Sequence, residues 1–184
     1  MNRVFIGVDS RQPVAGNILA HSISKTASKP ISITQLHIDQ LPIERQGLTE
    51  FTYSRYLVPY LCQYEGTALF LDSDMLVVDD IMPLLEADLG DAGVGVVQSI
   101  ERFEWPSLML FNCEKCTKLT PEYLKTGKPQ SFDWTEKIGN IPPEWNHVVP
   151  YSGKNSDAKI IHYTQGIPCF PETEDCEWAG EWRE

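Results

Sequence analysis

The sequence lacks the features that mark several large classes of protein. No stretch of its 184 residues approaches the roughly 18 consecutive apolar residues of a membrane-spanning helix. The first residues, MNRVFIGVDS, lack the layout of a secretory signal. Basic residues are scarce, with 15 Lys and Arg against 26 Asp and Glu, which argues against a broad nucleic-acid surface. We therefore expect a cytoplasmic protein without a transmembrane segment.

The chain also lacks an even set of cysteines: its count of five is odd, and without a secretory signal this indicates reduced thiols rather than a disulfide framework. Cys113 and Cys116 form a CxxC pair, but no second tight pair completes a typical structural zinc site. The sequence shows no internal repeat and no linker. Residues 1–184 are therefore predicted to form a single domain, with a loop-rich part at 128–158 and an acidic C-terminal tail that we expect to be amphipathic and solvated.

What the chain does contain is an alternation of short apolar segments with helical patterns. The main predicted strands are Val4–Val8, Ile31–Ile38 and Thr67–Asp74, and apolar residues repeat at helical spacing over Pro13–Ala27 and 48–66. Such alternation predicts an α/β fold with a mostly parallel central sheet and helices on both faces. Ligands of such sheets bind at the carboxyl ends of the strands.

Polar side chains stand at the predicted carboxyl ends of three strands. Residues 9–11 (Asp-Ser-Arg) follow the first strand, and Asp72 and Asp74 end the strand TALFLDSD. His162 lies near the end of the last predicted strand, KIIHYT. In a parallel sheet these distant positions converge on one edge, which predicts a site there.

The pair Asp72 and Asp74 raises a question of charge. No Lys or Arg occurs between residues 67 and 80, and a carboxylate is costly to bury unless it is paired or coordinates a metal. The two side chains can share one ion only if the chain turns at Ser73. Carboxylates suit Mg²⁺ or Mn²⁺, and an added imidazole favours Mn²⁺. By spacing alone, a capping, turn or surface role is favoured over a metal for this pair.

Four motifs in the same order resemble glycosyltransferase family 8, which has the GT-A fold. They are VFIGVDS, FTYSRYLVPYL, ALFLDSDMLV and KIIHYTQGIP. The resemblance implies a single Rossmann-like GT-A domain that acts as a metal-dependent hexosyltransferase with retention. It implies a nucleotide-diphosphate sugar, expected to be UDP-linked, as the donor partner. The acceptor partner is an unknown glycan, lipid or protein.

The resemblance also implies roles for individual residues. Asp72, Asp74 and His162 would hold Mn²⁺ or Mg²⁺ against the diphosphate, and the implied catalytic residues are Asp133 and Arg55. The residues expected to contact the nucleotide sugar are Gly7, Asp9, Arg11, Ser73 and Gly166.

The chain departs from the family pattern in two places. Residues 105–107 (Trp-Pro-Ser) stand where the family commonly has Asn-Ala-Gly facing the donor sugar. Pro168 and Cys169 stand near the place of a family lysine. Phosphate binding must then rely on the metal, on backbone amides, or on another base such as Arg11 or Lys159.

Two alternative functions fit parts of the same sequence. The segment FLDSDMLV is also similar to the Asp-x-Asp motif of haloacid-dehalogenase-type phosphatases, in which the first Asp is the nucleophile. The second alternative is a shortened GT-A domain that binds a nucleotide sugar without turnover. In the loop-rich part, Trp134 and Trp145 either stack on a sugar or pack on the core.

Overall fold

The computed structural model describes residues 2–153 and 155–184. Within these residues the strands are β1 (Arg3–Gly7), β2 (Ser32–Leu36), β3 (Thr67–Asp72), β4 (Met75–Val77), β5 (Val94–Val96), β6 (Leu108–Asn112), β7 (Ile138–Asn140), β8 (His147–Val148) and β9 (Ile160–His162). The α-helices are α1 (Pro13–Thr26), α2 (Phe51–Ser54), α3 (Val58–Leu61), α4 (Met82–Leu85), α5 (Pro121–Thr126) and α6 (Ala179–Arg183). Short 3₁₀ turns cover Ile38–Gln40, Arg55–Leu57, Arg102–Ser107, Cys113–Lys115, Pro129–Ser131 and Pro143–Trp145.

The central sheet confirms the expected α/β fold. Its strand order is β2-β1-β3-β6-β5-β7, and β1 pairs in parallel with both β2 and β3. Strand β6 runs antiparallel to both β3 and β5, whereas β5 and β7 are parallel, so the sheet is mixed. A parallel pair of strands needs a crossover of about a dozen residues, usually a helix. The segment between β5 and β6 contains a 3₁₀ turn and no α-helix, which is consistent with their antiparallel pairing.

A smaller sheet, with the order β4-β9-β8, sits at the end of β3. Strand β4 pairs antiparallel with β9, so that Met75 lies opposite His162. Strands β7 and β8 both fall within 128–158, where the sequence predicted loops. That prediction was incomplete because strands of two or three residues are too short to show an alternating pattern.

Helices pack on both faces of the central sheet, as predicted. Alternate residues of β1 and β3 enter two different hydrophobic clusters, which is the expected result of the two-residue period of a strand. Ile6 and Leu71 belong to the cluster that contains Leu19 of α1, whereas Phe70 belongs to the cluster that contains Leu57. These clusters fix the position of β3, and hence of the carboxylates that follow it.

The acidic C-terminal segment is amphipathic: five of its six acids are exposed, and its apolar residues pack on the fold. Trp182 of α6 is buried in a cluster with Ile161 and Tyr163, and the Tyr163 hydroxyl donates a hydrogen bond to the carbonyl of Trp178 at 2.9 Å. Trp178 and Trp182 form the apolar side of this segment, which packs against the fold. Among the described residues, no helix combines the length and apolar character required to cross a bilayer.

Candidate metal centre

The chain turns sharply between the two predicted carboxylate ligands. Asp72 is the last residue of β3, and Ser73 and Asp74 form the turn into β4. The backbone N–H of Ser73 donates to the carbonyl of Gly7 at 3.1 Å, and the N–H of Tyr163 donates to the carbonyl of Asp74 at 2.9 Å. The turn is therefore fixed to β1 on one side and to the residue after β9 on the other.

His162 reaches the same place from the other end of the chain. It is opposite Met75 in the β4–β9 pair and is only 2% exposed. Its Nε2 atom lies 3.5 Å from Oδ1 of Asp74. One ligand atom from each of Asp72, Asp74 and His162 lies within 4.8 Å of the others, a spacing at which the three can share one cation.

A hydrogen-bond chain determines which nitrogen of His162 faces the carboxylates. The hydroxyl of Ser107 donates to the carbonyl of Glu104 at 2.6 Å, so its oxygen accepts from Nδ2 of Asn146 at 2.9 Å. The amide oxygen of Asn146 therefore faces Nδ1 of His162, at 3.0 Å. Because that oxygen can only accept, Nδ1 carries a proton, and Nε2 is left to accept or to ligate.

Arg55 supplies part of the positive charge that the strand itself lacks. Its Nη2 atom lies 3.0 Å and 3.2 Å from the two oxygens of Asp72, and its Nε donates to the carbonyl of Phe51 at 3.2 Å. Burial nevertheless raises the pKa of Asp72 to about 7, although Arg55 acts in the opposite direction. One guanidinium therefore does not fully stabilise the ionised carboxylate.

The donor atoms present fit a divalent cation. Oδ1 of Asp72 and Oδ1 of Asp74 are buried and form no hydrogen bond within the described part of the chain. Burial raises the pKa of a third carboxyl, that of Glu104. Burial acts to lower the pKa of His162, but Asp74, Asp72 and Glu104 outweigh it and raise that pKa. Among the described residues, Oδ1 of Asp72 has only the ion pair with Arg55, at 3.0 Å, and Oδ1 of Asp74 lies 3.5 Å from Nε2 of His162. Two carboxylates and one imidazole nitrogen match the preferences of Mn²⁺.

These groups face a cavity of about 430 Å³, which we call the metal cavity. The described residues that line it include three carboxylates and a single guanidinium, that of Arg55. A second cavity, of about 460 Å³, adjoins it and shares Leu48 and Thr49 with it. A larger cavity of about 680 Å³ lies between α1 and α6, but it contains none of the three candidate ligands. The chemistry therefore favours the smaller metal cavity.

The predicted nucleotide-binding residues Gly7, Asp9 and Arg11 already have partners within the protein. A Cβ atom on Gly7 would lie 2.5 Å from Cβ of Phe51 and 2.7 Å from the ring of Phe70, so packing alone requires glycine. The Arg11 guanidinium binds both oxygens of Asp9, at 2.8 Å and 2.5 Å, and this bond lowers the pKa of Asp9. Arg11 lines the adjoining cavity and not the metal cavity.

Two further predicted residues are not brought to the metal cavity. Asp133 accepts a hydrogen bond from the Tyr123 hydroxyl at 2.8 Å and is not among the residues that line the cavity. Gly166 has a φ of +123° in the turn after β9, where its N–H donates to the carbonyl of Tyr163. Lys159, considered as a phosphate-binding base, forms an ion pair with Asp79 at 2.8 Å instead.

The residues that line the metal cavity include several that sequence reasoning did not assign to a site, among them Glu104 and Gln130. The only signal for Glu104 was its position directly before residues 105–107, where the family pattern breaks. Trp134 and Trp145 are 2% and 5% exposed, so they pack in the core and do not present a face to a sugar.

Comparisons with known proteins agree with this geometry. The profile described as Glycosyl transferase family 8 matches residues 13–127. Protein CDI of Arabidopsis thaliana is 33% identical to this chain over 98% of the chain and 84% of its own length.

Solved structures share the fold. The WbbM bifunctional glycosyltransferase has a TM-score of 0.74 at 17% identity, and the match covers 98% of this chain and 48% of WbbM. The chain therefore spans about half of WbbM. For the galactosyltransferase LgtC, solved with donor and acceptor sugar analogues, the TM-score is 0.66 at 14% identity, with coverage of 98% and 94%. For GlyE of Streptococcus pneumoniae TIGR4 it is 0.73 at 16% identity, with coverage of 100% and 60%.

Proposed function

Because the chain belongs to glycosyl transferase family 8, we propose that this glycosyltransferase moves a hexose from a UDP-linked sugar to an acceptor hydroxyl, with a divalent metal ion held by Asp72, Asp74 and His162. One observation carries the proposal. Ligand atoms of two carboxylates and one imidazole lie within 4.8 Å of one another, and Asn146 leaves Nε2 of that imidazole free to ligate. Mn²⁺ suits this set better than Mg²⁺ because of the imidazole.

The chemistry to be catalysed is the exchange of one C–O bond for another. The bond between the anomeric carbon and the diphosphate breaks, and its electron pair stays on the phosphate oxygen. The acceptor oxygen forms a new bond to the anomeric carbon, and its proton passes to the departing phosphate oxygen. We infer retention, so both events take place on the same face of the sugar. A bound metal ion supplies positive charge to the developing diphosphate.

Arg55 is the side chain that acts beside the metal in this proposal. It is the only guanidinium or ammonium group among the described residues that line the metal cavity. Its bonds to Asp72 and to the Phe51 carbonyl hold it in place before a ligand arrives, so little reorganisation is required. Since Arg11 and Lys159 are engaged elsewhere, neutralisation of the diphosphate depends on the metal ion and Arg55.

The cavity that shares Leu48 and Thr49 with the metal cavity is the proposed place of the nucleoside. Its volume, about 460 Å³, lies within the range of roughly 300–1,000 Å³ that is typical of small-molecule sites. The Asp9–Arg11 pair stands at its edge. A hydrogen bond from uracil or ribose to Asp9 requires this pair to open, so we assign the Asp9 contact to the bound state alone.

The family assignment is incompatible with the phosphatase alternative. In haloacid-dehalogenase-type phosphatases the nucleophilic Asp follows the first strand, whereas Asp72 ends the third strand of this chain. The remaining alternative is a domain that binds the nucleotide sugar without turnover, and the following experiment separates it from the transferase.

Thermal unfolding with Mn²⁺ and UDP tests the metal and the nucleotide. At a ligand concentration of 100 times Kd we expect about 2.7 kcal/mol of stabilisation, which is about 5–10 °C for a chain of this size. Asp74→Asn should lose most of this shift. The matched control is Asp91→Asn, because Asp91 is an exposed acid whose side chain is 88% accessible. A wild-type protein that Mn²⁺ and UDP do not stabilise would refute the proposal.

Release of UDP from a panel of UDP-sugars tests turnover and donor choice. Slow Mn²⁺-dependent hydrolysis of one sugar donor, without hydrolysis of the matching GDP-sugar, is the expected result. Stabilisation by UDP with no release from any donor would identify the binding domain instead.

A further inference from the structure

A further groove adjoins the metal cavity at residues other than those shared with the proposed nucleoside cavity. It has a volume of about 460 Å³ and shares Phe103 and Glu104 with the metal cavity. We call it the aromatic groove; its other lining residues are Ser99, Ile100, Glu101, Val148, Tyr151 and Ser152. The metal cavity shares different residues with each neighbour, so it connects the two.

Two large aromatic rings are exposed at this groove. Phe103 is 75% accessible and Tyr151 is 68% accessible, whereas Trp134 and Trp145 are buried. Single exposed apolar residues are ordinary, but two aromatic rings at the mouth of one groove form a patch of the kind that binds ligands.

Hydrogen bonds fix the turn that carries Tyr151. The N–H of Val148 donates to the Ser152 hydroxyl at 2.9 Å, and the N–H of Ser152 donates to the Val148 carbonyl at 2.8 Å, which ties the turn that carries Tyr151 to β8. Gln165 donates a side-chain hydrogen bond to the Tyr151 hydroxyl. The backbone of Phe103 lies on the 3₁₀ turn Arg102–Ser107.

The polar groups of the groove select against negative charge. Glu101 and Glu104 line it, and no Lys, Arg or His is found among its described lining residues. The carboxylate of Glu104 forms no hydrogen bond within 2–153 and 155–184, although Oε2 lies 4.0 Å from Nδ1 of His162. Carboxylates accept hydrogen bonds from hydroxyl groups and repel phosphates and carboxylates.

We propose that the aromatic groove is the acceptor site and that it binds an uncharged sugar. The C–H face of the sugar ring packs on Tyr151 and Phe103, and its hydroxyls donate to Glu101 and Glu104. A basic peptide satisfies the carboxylates equally well, but it does not account for two exposed aromatic faces beside them. This inference rests on the proposed function, because an acceptor site has meaning only beside a donor site.

The test is ligand-observed saturation-transfer NMR on the full chain with Mn²⁺ and UDP present. Lactose and maltose are the uncharged probes, sialyllactose is the anionic probe, and an oligolysine peptide is the basic one. We expect at least one uncharged sugar to bind and sialyllactose not to bind. Absence of binding by both uncharged sugars overturns the proposal, and so does tighter binding of oligolysine than of either sugar.

Variants locate the site. Tyr151→Ala should weaken binding of the sugar about tenfold, whereas Tyr151→Phe, which keeps the ring, should bind as the wild type does. The matched control is Tyr60→Ala, because Tyr60 is an exposed aromatic residue that lines neither cavity. Equal binding by Tyr151→Ala and wild type overturns the assignment. The thermal shift with Mn²⁺ and UDP is measured separately on the wild type, so failure of the donor site is distinguished from failure of the acceptor site.

Discussion

Replacement of Asn146 by Ala tests whether the hydrogen bond to Nδ1 prepares His162 for metal binding, because Asn146 contacts His162 without being a proposed ligand itself. The change removes the Asn146 amide oxygen, which lies 3.0 Å from Nδ1 of His162 and accepts its hydrogen bond. It also removes the amide N–H that donates to the Ser107 hydroxyl. Loss of such a partner behind a histidine ligand typically lowers metal affinity about 10- to 100-fold, or about 1.4–2.8 kcal/mol.

The same substitution also lowers the stability of the metal-free protein. Asn146 is 1% exposed, and a buried group left unpaired costs about 1–3 kcal/mol, which lowers the Tm by about 2–12 °C. The two effects are separated by measuring Mn²⁺ affinity directly, from the loss of the free-ion EPR signal on titration, at a temperature where the variant is folded.

Two further variants make this test specific. Asn146→Asp keeps an oxygen facing Nδ1, so it should retain Mn²⁺ affinity within a few-fold even if its stability falls. Asn17→Ala, on the surface of α1, should change neither quantity. If Asn146→Ala binds Mn²⁺ as tightly as wild type, then His162 is not held for ligation in the way described, and the reasoning fails.

Three other predictions follow from the contacts of the site. Arg55→Met removes the partner of a buried carboxylate, so we expect a loss of about 3–5 kcal/mol in urea unfolding, partly restored by Mn²⁺; an unchanged midpoint would mean that the ion pair contributes nothing. Gly7→Ala places a methyl group 2.5 Å from Cβ of Phe51, so about 1–3 kcal/mol should be lost in the same assay, and wild-type stability would show that β1 and α2 separate freely. Removal of metal by EDTA should abolish UDP-dependent stabilisation, with Mn²⁺ restoring it better than Ca²⁺; equal support by Ca²⁺ would contradict an imidazole ligand.

The sequence allowed the elements that carry the site to be predicted closely. The strand expected at Val4–Val8 is Arg3–Gly7, and the helix expected at Pro13–Ala27 is Pro13–Thr26. The turn required at Ser73 is present. These features depend on local apolar periodicity and on turn chemistry, both of which are visible in a short window of residues.

What the sequence did not reveal depends on contacts between distant segments. The role of Asn146 arises from a side chain that reaches His162, and Glu104 enters the cavity because a 3₁₀ turn replaces a crossover helix between β5 and β6. Asp133 was assigned by position relative to a family pattern, but its partner is Tyr123. Periodicity indicates that a segment is buried, and it does not identify what the segment packs against.

The pairing of β4 with β9 has a consequence for how the protein folds. His162 reaches the carboxylates only after β9, near the end of the chain, has paired with β4, from its middle. Between them in sequence lie α4, β5, β6, α5, β7 and β8, so the pairing closes a long segment of chain. Loop closure of this kind is slow, because its entropy must be lost before the contacts are gained. The three ligands are therefore assembled late, and an intermediate that lacks β9 has two carboxylates and no imidazole. Mn²⁺ binding then reports completion of the native topology, and refolding followed by Mn²⁺ uptake should lag behind recovery of the helical signal.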